Sequence, residues 1–153
     1  MVDRVKGRKK VADVRETALS HVSLLGVRAK DPIALVDKVA SGLPFRAIEE
    51  FRKQTGFPSK LVGEWIQVPV RTIARRKSSG KLGPAESDRL VRASRVFGLA
   101  LDLFEGDRPA ARRWLLAPRA ALGGRSPFEL AKTEVGAREV EAFITRLEHG
   151  VHT

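Results

Sequence analysis

The chain has 153 residues and no cysteine, with 29 lysines and arginines against 18 aspartates and glutamates. This length suits one ordinary domain or two very small ones, and the lack of cysteine excludes disulfides, cysteine-based zinc sites and thiol nucleophiles. The formal net charge of +11 favours a polyanionic partner, nucleic acid before an anionic membrane. The basic excess is five in residues 1–30, four in residues 31–86 and two in residues 87–153, so the two halves are expected to face different partners.

Residues 1–30 are predicted to form a basic N-terminal arm. Five of the first ten residues are basic, the segment 22–27 is apolar but short, and the arm is expected to be part disordered and part packed on the body. Asp31-Pro32 then predicts a helix start, because aspartate caps the first turn and proline is tolerated at the first helical position. Ile33, Val36 and Val39 follow at helical spacing.

Proline and glycine predict the bounds of the remaining helices. Pro44, Pro69 and Pro84 each open a helix, and glycine marks several helix ends. The helix after Pro84 is the longest, with an apolar residue every three or four positions. Further helices are expected from Asp107, from the capping box Ser126-Pro-Phe-Glu129 and from about Glu134 to Glu148, with Gly150 as the final cap. Since no alternating strand pattern occurs, the predicted fold class is all-α, with about seven short helices and a joint near residues 79–84.

Residues 62–75 match the pattern of a helix-turn-helix unit. A first helix from Lys60 to about Gln67 carries Gly63, where a second helix starting at Pro69 would cross closely. The positions expected to face inward are Val62, Ile66, Val68 and Ile73. The outward face of the second helix would enter the major groove of DNA, and its predicted contacts are Val70, Arg71, Thr72, Arg75, Arg76 and Lys77.

The charge pattern of this region agrees with DNA binding. No acidic residue occurs between Trp65 and Ala85, whereas five arginines and lysines lie between residues 71 and 81. About five phosphate contacts would give a log–log salt slope of roughly −4 to −5 per subunit. Two positions depart from the pattern, because Gln67 occupies a turn position that often needs glycine and Arg76 stands where many such units have an apolar residue. The alternative is a three-helix scaffold or dimerisation unit whose basic face is only solvated.

Six short segments, taken in this order, resemble the Xre/MbcA/ParS family of antitoxins, whose toxins carry the RES domain. They are Gly42-Leu-Pro-Phe45, Arg71-Thr-Ile-Ala-Arg-Arg76, Glu86-Ser-Asp-Arg-Leu90, Trp114-Leu-Leu-Ala-Pro118, Leu122-Gly-Gly-Arg-Ser-Pro127 and Leu147-Glu-His-Gly-Val151. The resemblance covers roughly residues 31–153. With it, the chain is divided into the arm (1–30), a helix-turn-helix domain for DNA binding and dimerisation (31–83) and a toxin-binding domain (84–153).

The resemblance implies a homodimeric antitoxin of a type II toxin–antitoxin system, which neutralises a NAD-consuming RES toxin and represses its own operon by binding operator DNA. Its C-terminal segment would block the toxin active site, and Arg125 would contact the rim. The toxin contacts implied in this way are Arg125, Glu148, His149, Gly150, Val151, His152 and Thr153. The alternative for the tail is an ordinary frayed terminus. Gly123-Gly124 is predicted to form a tight turn rather than a phosphate site, and Trp114 to be a core anchor rather than a contact hot spot.

Nothing in the sequence favours an enzyme. It contains no nucleophile elbow, no Walker loop and no dinucleotide-binding glycine pattern after a strand, and a metal site at His149 and His152 has little support. No window approaches 18 uninterrupted apolar residues. We therefore expect a cytoplasmic, non-catalytic protein without cofactor or membrane partner. Two other functions stay open: a helix-turn-helix transcriptional regulator whose C-terminal half dimerises or senses a ligand, and a basic protein that coats DNA without sequence preference.

Overall fold

The computed structural model describes residues 19–150, which form helices and loops and contain no β-strand. Eight α-helices and two 3-10 helices lie between Val22 and Glu148. The α-helices are α1 (Pro32–Ser41), α2 (Arg46–Thr55), α3 (Ser59–Trp65), α4 (Val70–Ser79), α5 (Pro84–Leu103), α6 (Arg108–Leu116), α7 (Pro127–Leu130) and α8 (Glu134–Glu148). The 3-10 helices are η1 (Val22–Leu25) and η2 (Ala120–Leu122). The predicted all-α fold class is confirmed.

Side-chain caps account for four of the helix starts. Asp31, Asp107, Ser126 and Thr133 each accept a hydrogen bond from the main-chain amide three residues further on, at 2.7–3.1 Å. Each cap satisfies one of the amides that the first turn of a helix leaves unpaired. The local sequence therefore sets where α1, α6, α7 and α8 begin.

Three helix bounds differ from the prediction. Pro44 does not open α2, which begins at Arg46, because Pro44 forms an isolated β-bridge with Lys81. The helix α3 ends at Trp65 rather than near Gln67, since Gln67 adopts a left-handed conformation with φ of +54°. Pro69 is the extended residue before α4 rather than its first helical residue.

The segment before α1 is part of the hydrophobic core. Val22, Leu25 and the imidazole of His21 are buried, and a methyl group at Gly98 of α5 would overlap that imidazole. His21 Nε2 also lies 3.3 Å from the carboxylate of Asp102 in α5. The prediction that part of the arm packs on the body is thus confirmed, while residues 1–18 of the arm lie outside the described residues.

One aromatic cluster joins the two halves of the chain. Its rings, whose neighbouring centroids are 5.3–6.3 Å apart, belong to Phe51, Phe57, Trp65, Phe97 and Phe128. They come from α2, the loop after it, α3, α5 and α7. The long helix α5 contacts η1, α1 and α2 as well as α6 and α8. The helix-turn-helix unit and the C-terminal helices therefore share one core.

The apolar stripe of α1 is largely left out of this core. The side chains of Ile33 and Val36 are 69% and 59% exposed, and α1 contains no fully buried residue. Its helical spacing was predicted, but within the described chain this stripe faces solvent. The helix α1 therefore offers an apolar surface at the edge of the fold.

Candidate nucleic-acid interface and C-terminal surface

The helices α3 and α4 cross closely at Gly63, as predicted. A Cβ atom at this position would lie only 3.0 Å from Ile73 Cδ1 and 3.2 Å from the carbonyl oxygen of Val68. Val62 and Ile66 are fully buried beneath the crossing. Even a Cβ atom at position 63 would therefore require the Ile73 side chain and the Val68 carbonyl to shift by a few tenths of an ångström, so glycine suits this close crossing.

The turn between α3 and α4 is held by a residue of α5 that the sequence did not point to. Arg89 donates hydrogen bonds from Nη1 to the carbonyl oxygens of Ile66 and Gln67, at 3.0 and 3.2 Å. The left-handed conformation of Gln67 costs a non-glycine residue roughly 1–2 kcal/mol. A charged donor that binds both carbonyls of the turn offsets this cost. No local motif could have revealed Arg89, because it lies 22 residues away from Gln67.

The outward face of α4 carries most of the predicted DNA contacts. Val70 is 75% exposed, Arg71, Arg75 and Lys77 are exposed, and Thr72 is half-buried. Within residues 19–150, the side chains of Arg71, Arg75 and Lys77 form no hydrogen bond and no ion pair with the protein. These side chains are therefore available to an external partner.

Arg76 differs from its neighbours because it has a protein partner. Its Nε atom donates to Glu86 Oε1 at 2.8 Å, and the same carboxylate oxygen accepts the amide of Gly83 at 2.7 Å. Glu86 is nearly buried in the first turn of α5, where its negative charge also suits the positive end of the helix dipole. This contact joins the last turns of α4 to the start of α5.

The unpaired cations lie mainly in the first half of the described chain. After Leu82, Arg92 and Arg95 form ion pairs with Glu134, and Arg112 donates to the carbonyl of Thr55. Before Leu82, the cations for which the described residues supply no partner include Arg28, Lys38, Arg46, Lys60, Arg71, Arg75, Lys77 and Lys81. The surface around the helix-turn-helix unit is thus both basic and uncompensated, which is the electrostatic pattern that a polyanion favours.

A stack of aromatic and cationic side chains fixes the C-terminal end of α8. The rings of Trp114 and Phe143 are stacked at 5.9 Å with an angle of 19° between their planes. The guanidinium of Arg119 lies 5.3 Å from the Trp114 ring, and that of Arg146 lies 5.7 Å from the Phe143 ring. Trp114 is only 7% exposed, so the prediction that it is a core anchor is confirmed.

The predicted toxin contacts are separate from this stack: Arg125 lies next to it, and the others lie at the end of α8 or beyond it. Gly123 and Gly124 adopt φ of +68° and +77° in a tight turn, as predicted, and Arg125 follows them on the surface. The amide of Arg119 donates to the carbonyl of Arg125 at 3.0 Å, which connects Arg125 to the stack. Glu148, His149 and Gly150 are exposed at the end of α8. The predicted contacts Val151, His152 and Thr153 lie outside the described residues.

These features define an all-helical protein in which a helix-turn-helix unit with a basic face is followed by a second group of helices. Two family models match the chain accordingly. The antitoxin Xre-like helix-turn-helix domain matches residues 34–95, and the antitoxin Xre/MbcA/ParS C-terminal toxin-binding domain matches residues 99–150.

Curated relatives agree with both matches. The protein "Antitoxin Xre" of Yersinia enterocolitica is 38% identical over 128 residues, which cover 83% of this chain and 86% of the relative. A protein of the same name from Photorhabdus laumondii is 34% identical over 111 residues, covering 72% and 75%, and one from Pseudomonas putida is 31% identical over 84 residues, covering 54% and 52%. The chain belongs to the Xre antitoxin family, and the resemblance noted from its sequence is confirmed. None of the helices among residues 19–150 is long and apolar enough to cross a membrane.

Proposed function

We propose that this protein is the antitoxin of a type II toxin–antitoxin system, that it neutralises a NAD-consuming RES-domain toxin, and that it represses its own operon. The observation that carries the proposal is the division of the chain into a helix-turn-helix match with uncompensated cations and a toxin-binding match without such an excess. We place the two modules at residues 31–83 and 84–153, with the arm 1–30 in front.

Operator DNA is the proposed partner of α4. Its exposed residues Val70, Arg71 and Arg75 face outward from a unit whose helix crossing is fixed by Gly63, so the helix can enter a major groove as a rigid body. Thr72 and Lys77 are suited to phosphate contacts at the edge of the groove. We propose that Arg76 mainly supports α4 through Glu86 and contributes less to DNA contact than Arg75.

The C-terminal segment 148–153 is the proposed inhibitor of the toxin, with Arg125 at the rim. A chain end that extends beyond a glycine cap is narrow enough to enter a cleft that excludes a helix. The stack of Trp114, Phe143 and their two arginines supports this proposal, because it fixes the direction in which the end of α8 projects.

A homodimer completes the proposal. Two-fold symmetry would place two copies of α4 about 34 Å apart, matching inverted half-sites one helical turn apart on DNA. The apolar stripe with Ile33 and Val36 supports dimerisation, since a second copy would cover side chains that are otherwise exposed.

Cellular NAD tests the toxin part of the proposal, and binding of the same variants to the upstream DNA tests the DNA part. The neighbouring reading frame is expressed alone, with the wild-type protein, with Arg75→Glu, and with a chain that lacks residues 148–153. We expect NAD to collapse with the neighbour alone, to recover with the wild type and with Arg75→Glu, and to stay low with the truncated chain. Upstream DNA should be bound by the wild type and by the truncated chain, in which α4 is intact. Arg75→Glu should not bind it, because the reversed charge is repelled by DNA.

Each outcome tests a separate part of the proposal. If the neighbour leaves NAD unchanged, the NAD-consuming toxin is refuted. If the truncated chain neutralises fully, the tail is not the inhibitor, and a regulator with a dimerising or sensing C-terminal half becomes the better description. If folded Arg75→Glu loses both activities, the two surfaces are not separate.

A further inference from the structure

A second group of cations surrounds a pocket that no predicted contact explains. Arg28, Lys38 and Arg46 line an open cavity of about 350 Å³ between the segment after η1 and the loop between α1 and α2. All three side chains are exposed, and no acidic residue of the described chain lines the cavity. Among residues 19–150, none of the three cations has a hydrogen-bond or ion-pair partner. The aliphatic part of Glu50 approaches Gly26, and its carboxylate accepts a hydrogen bond from Gln54 at 2.8 Å, but Glu50 does not line the cavity.

The pocket is joined directly to the C-terminal end of α4. The amide of Phe45 donates to the carbonyl of Gly80 at 2.9 Å, and the amide of Leu82 donates to the carbonyl of Leu43 at 2.8 Å. Leu43 and Pro44 line the pocket, and the side chain of Lys81 runs past Gly42 at its rim. The main chain that forms one wall of the pocket is therefore joined to the end of α4, while the three cationic side chains remain exposed.

The length of α4 is comparable to the width of a DNA groove. Ten helical residues with a rise of 1.5 Å make α4 about 15 Å long, and the major groove of B-DNA is about 12 Å wide. When the first turns of α4 contact base edges, the other end of the helix reaches the sugar–phosphate backbone that borders the groove. Guanidinium groups bind phosphate oxygens in a bidentate manner, and lysine binds them as a point charge.

We propose that Arg28, Lys38 and Arg46 form a binding site for a backbone phosphate of duplex DNA, next to the base pairs that α4 contacts. This proposal rests on the proposed DNA binding and extends it to residues outside the helix-turn-helix unit. A phosphate contact carries no sequence information, so the pocket contributes to affinity and orientation and not to the choice of operator.

The triple variant Arg28→Gln, Lys38→Gln, Arg46→Gln tests the site by fluorescence anisotropy. The control removes three positive charges from the other half of the chain, by Arg108→Gln, Arg113→Gln and Arg138→Gln. Both variants and the wild type are titrated with the protein's own upstream DNA and with an unrelated duplex, between about 50 and 200 mM salt. Circular dichroism verifies that both variants fold.

The log–log salt slope separates a phosphate site from a general charge effect. Loss of one phosphate contact makes the negative slope shallower by about 0.9. Between about 50 and 200 mM salt, the fold-decrease in affinity of the pocket variant should therefore be about 3.5 times smaller than that of the wild type. Both duplexes should show the same change, and the control variant should keep the wild-type slope.

Four outcomes would overturn the proposal. A pocket variant with the slope of the control would refute the phosphate site and leave the DNA-binding function intact. A change confined to the upstream DNA would assign the pocket to sequence recognition instead. Inorganic phosphate that stabilises the wild type but not the pocket variant, at equal ionic strength and without any change in DNA slope, would assign it to a free anion. If the wild type binds neither duplex, the proposed DNA binding itself fails and the pocket proposal fails with it.

Discussion

Two adjacent arginines of α4 are expected to respond to alanine substitution in opposite ways. Arg75 is exposed and has no partner within residues 19–150, whereas Arg76 donates to the nearly buried carboxylate of Glu86. Arg75→Ala should therefore lower DNA affinity without changing stability, and Arg76→Ala should lower stability with little change in the affinity of the folded protein. The two positions differ by one residue, so each variant is the control for the other.

The magnitudes follow from the two environments. Hydrogen bonds to charged groups contribute about 1.5–3 kcal/mol, and the Arg76 pair is two-thirds or more shielded from solvent on both sides. Arg76→Ala leaves Glu86 with the Gly83 amide, so we expect a loss of about 2 kcal/mol in unfolding free energy, or roughly 4–8 °C in Tm. Arg75→Ala should change the unfolding free energy by less than about 0.5 kcal/mol. If Arg75 contacts a base edge, its loss should weaken DNA binding about 5- to 150-fold.

Urea denaturation and anisotropy titration on the same preparations measure both quantities. The cycle of Arg76→Ala, Glu86→Ala and the double variant isolates the pair, with an expected coupling of about 1–2 kcal/mol. Equal unfolding free energies for wild type and Arg76→Ala would show that the contact with Glu86 contributes nothing. Equal losses of DNA affinity in the two single variants would refute the different roles assigned to them.

Two further predictions concern the turn before α4 and the surface of α1. Arg89→Ala should lower the unfolding free energy by about 2 kcal/mol and weaken DNA binding. Adding Gln67→Gly should restore DNA binding together with roughly 1–2 kcal/mol of stability, because glycine adopts the left-handed turn without the conformational cost of glutamine. Unimpaired DNA binding by Arg89→Ala, measured by anisotropy, would contradict this role. Val36→Asp should convert the proposed dimer into folded monomers in sedimentation experiments, with Val135→Asp of α8, at a still more exposed valine, as control. A Val36→Asp protein that stays dimeric would place the interface elsewhere.

The sequence predicted well those features that local chemistry determines. Helix starts at Asp31, Asp107 and Ser126 depend on a side chain that caps its own turn, so spacing alone located them. The close crossing at Gly63 and the unusual turn residue Gln67 were visible because both lie within one contiguous sequence pattern, residues 62–75. The basic face of α4 was predicted from the run of residues without acids.

Features that depend on contacts distant in sequence could not be predicted in this way. No residue near Pro44 in the sequence indicates its bridge to Lys81, and because of this bridge α2 begins only at Arg46. The spacing of Ile33 and Val36 is the same for a buried stripe and an exposed one, so periodicity identified the helix but not its environment. The partner of Arg76 lies 10 residues away in the sequence, and those of Arg89 lie more than 20 residues away. Only the folded structure therefore distinguishes these two arginines from the unpaired ones.

The helix α5 explains why the functions of the two modules can be tested separately only by substitutions on the surface and not by changes in the core. Its first turns hold α4 through Glu86 and Arg89, and its later turns contribute Phe97 to the shared aromatic cluster and pack against α6 and α8. The two family matches meet between residues 95 and 99, inside this helix. A cavity at Phe97 would therefore disturb both modules at once, because tightly packed interiors transmit such changes. An exposed residue such as Arg75, or the segment after α8, affects one surface while α5 and the core keep their positions. Loss of both functions therefore argues against separate surfaces only when the substituted residue lies on the surface and the variant remains folded.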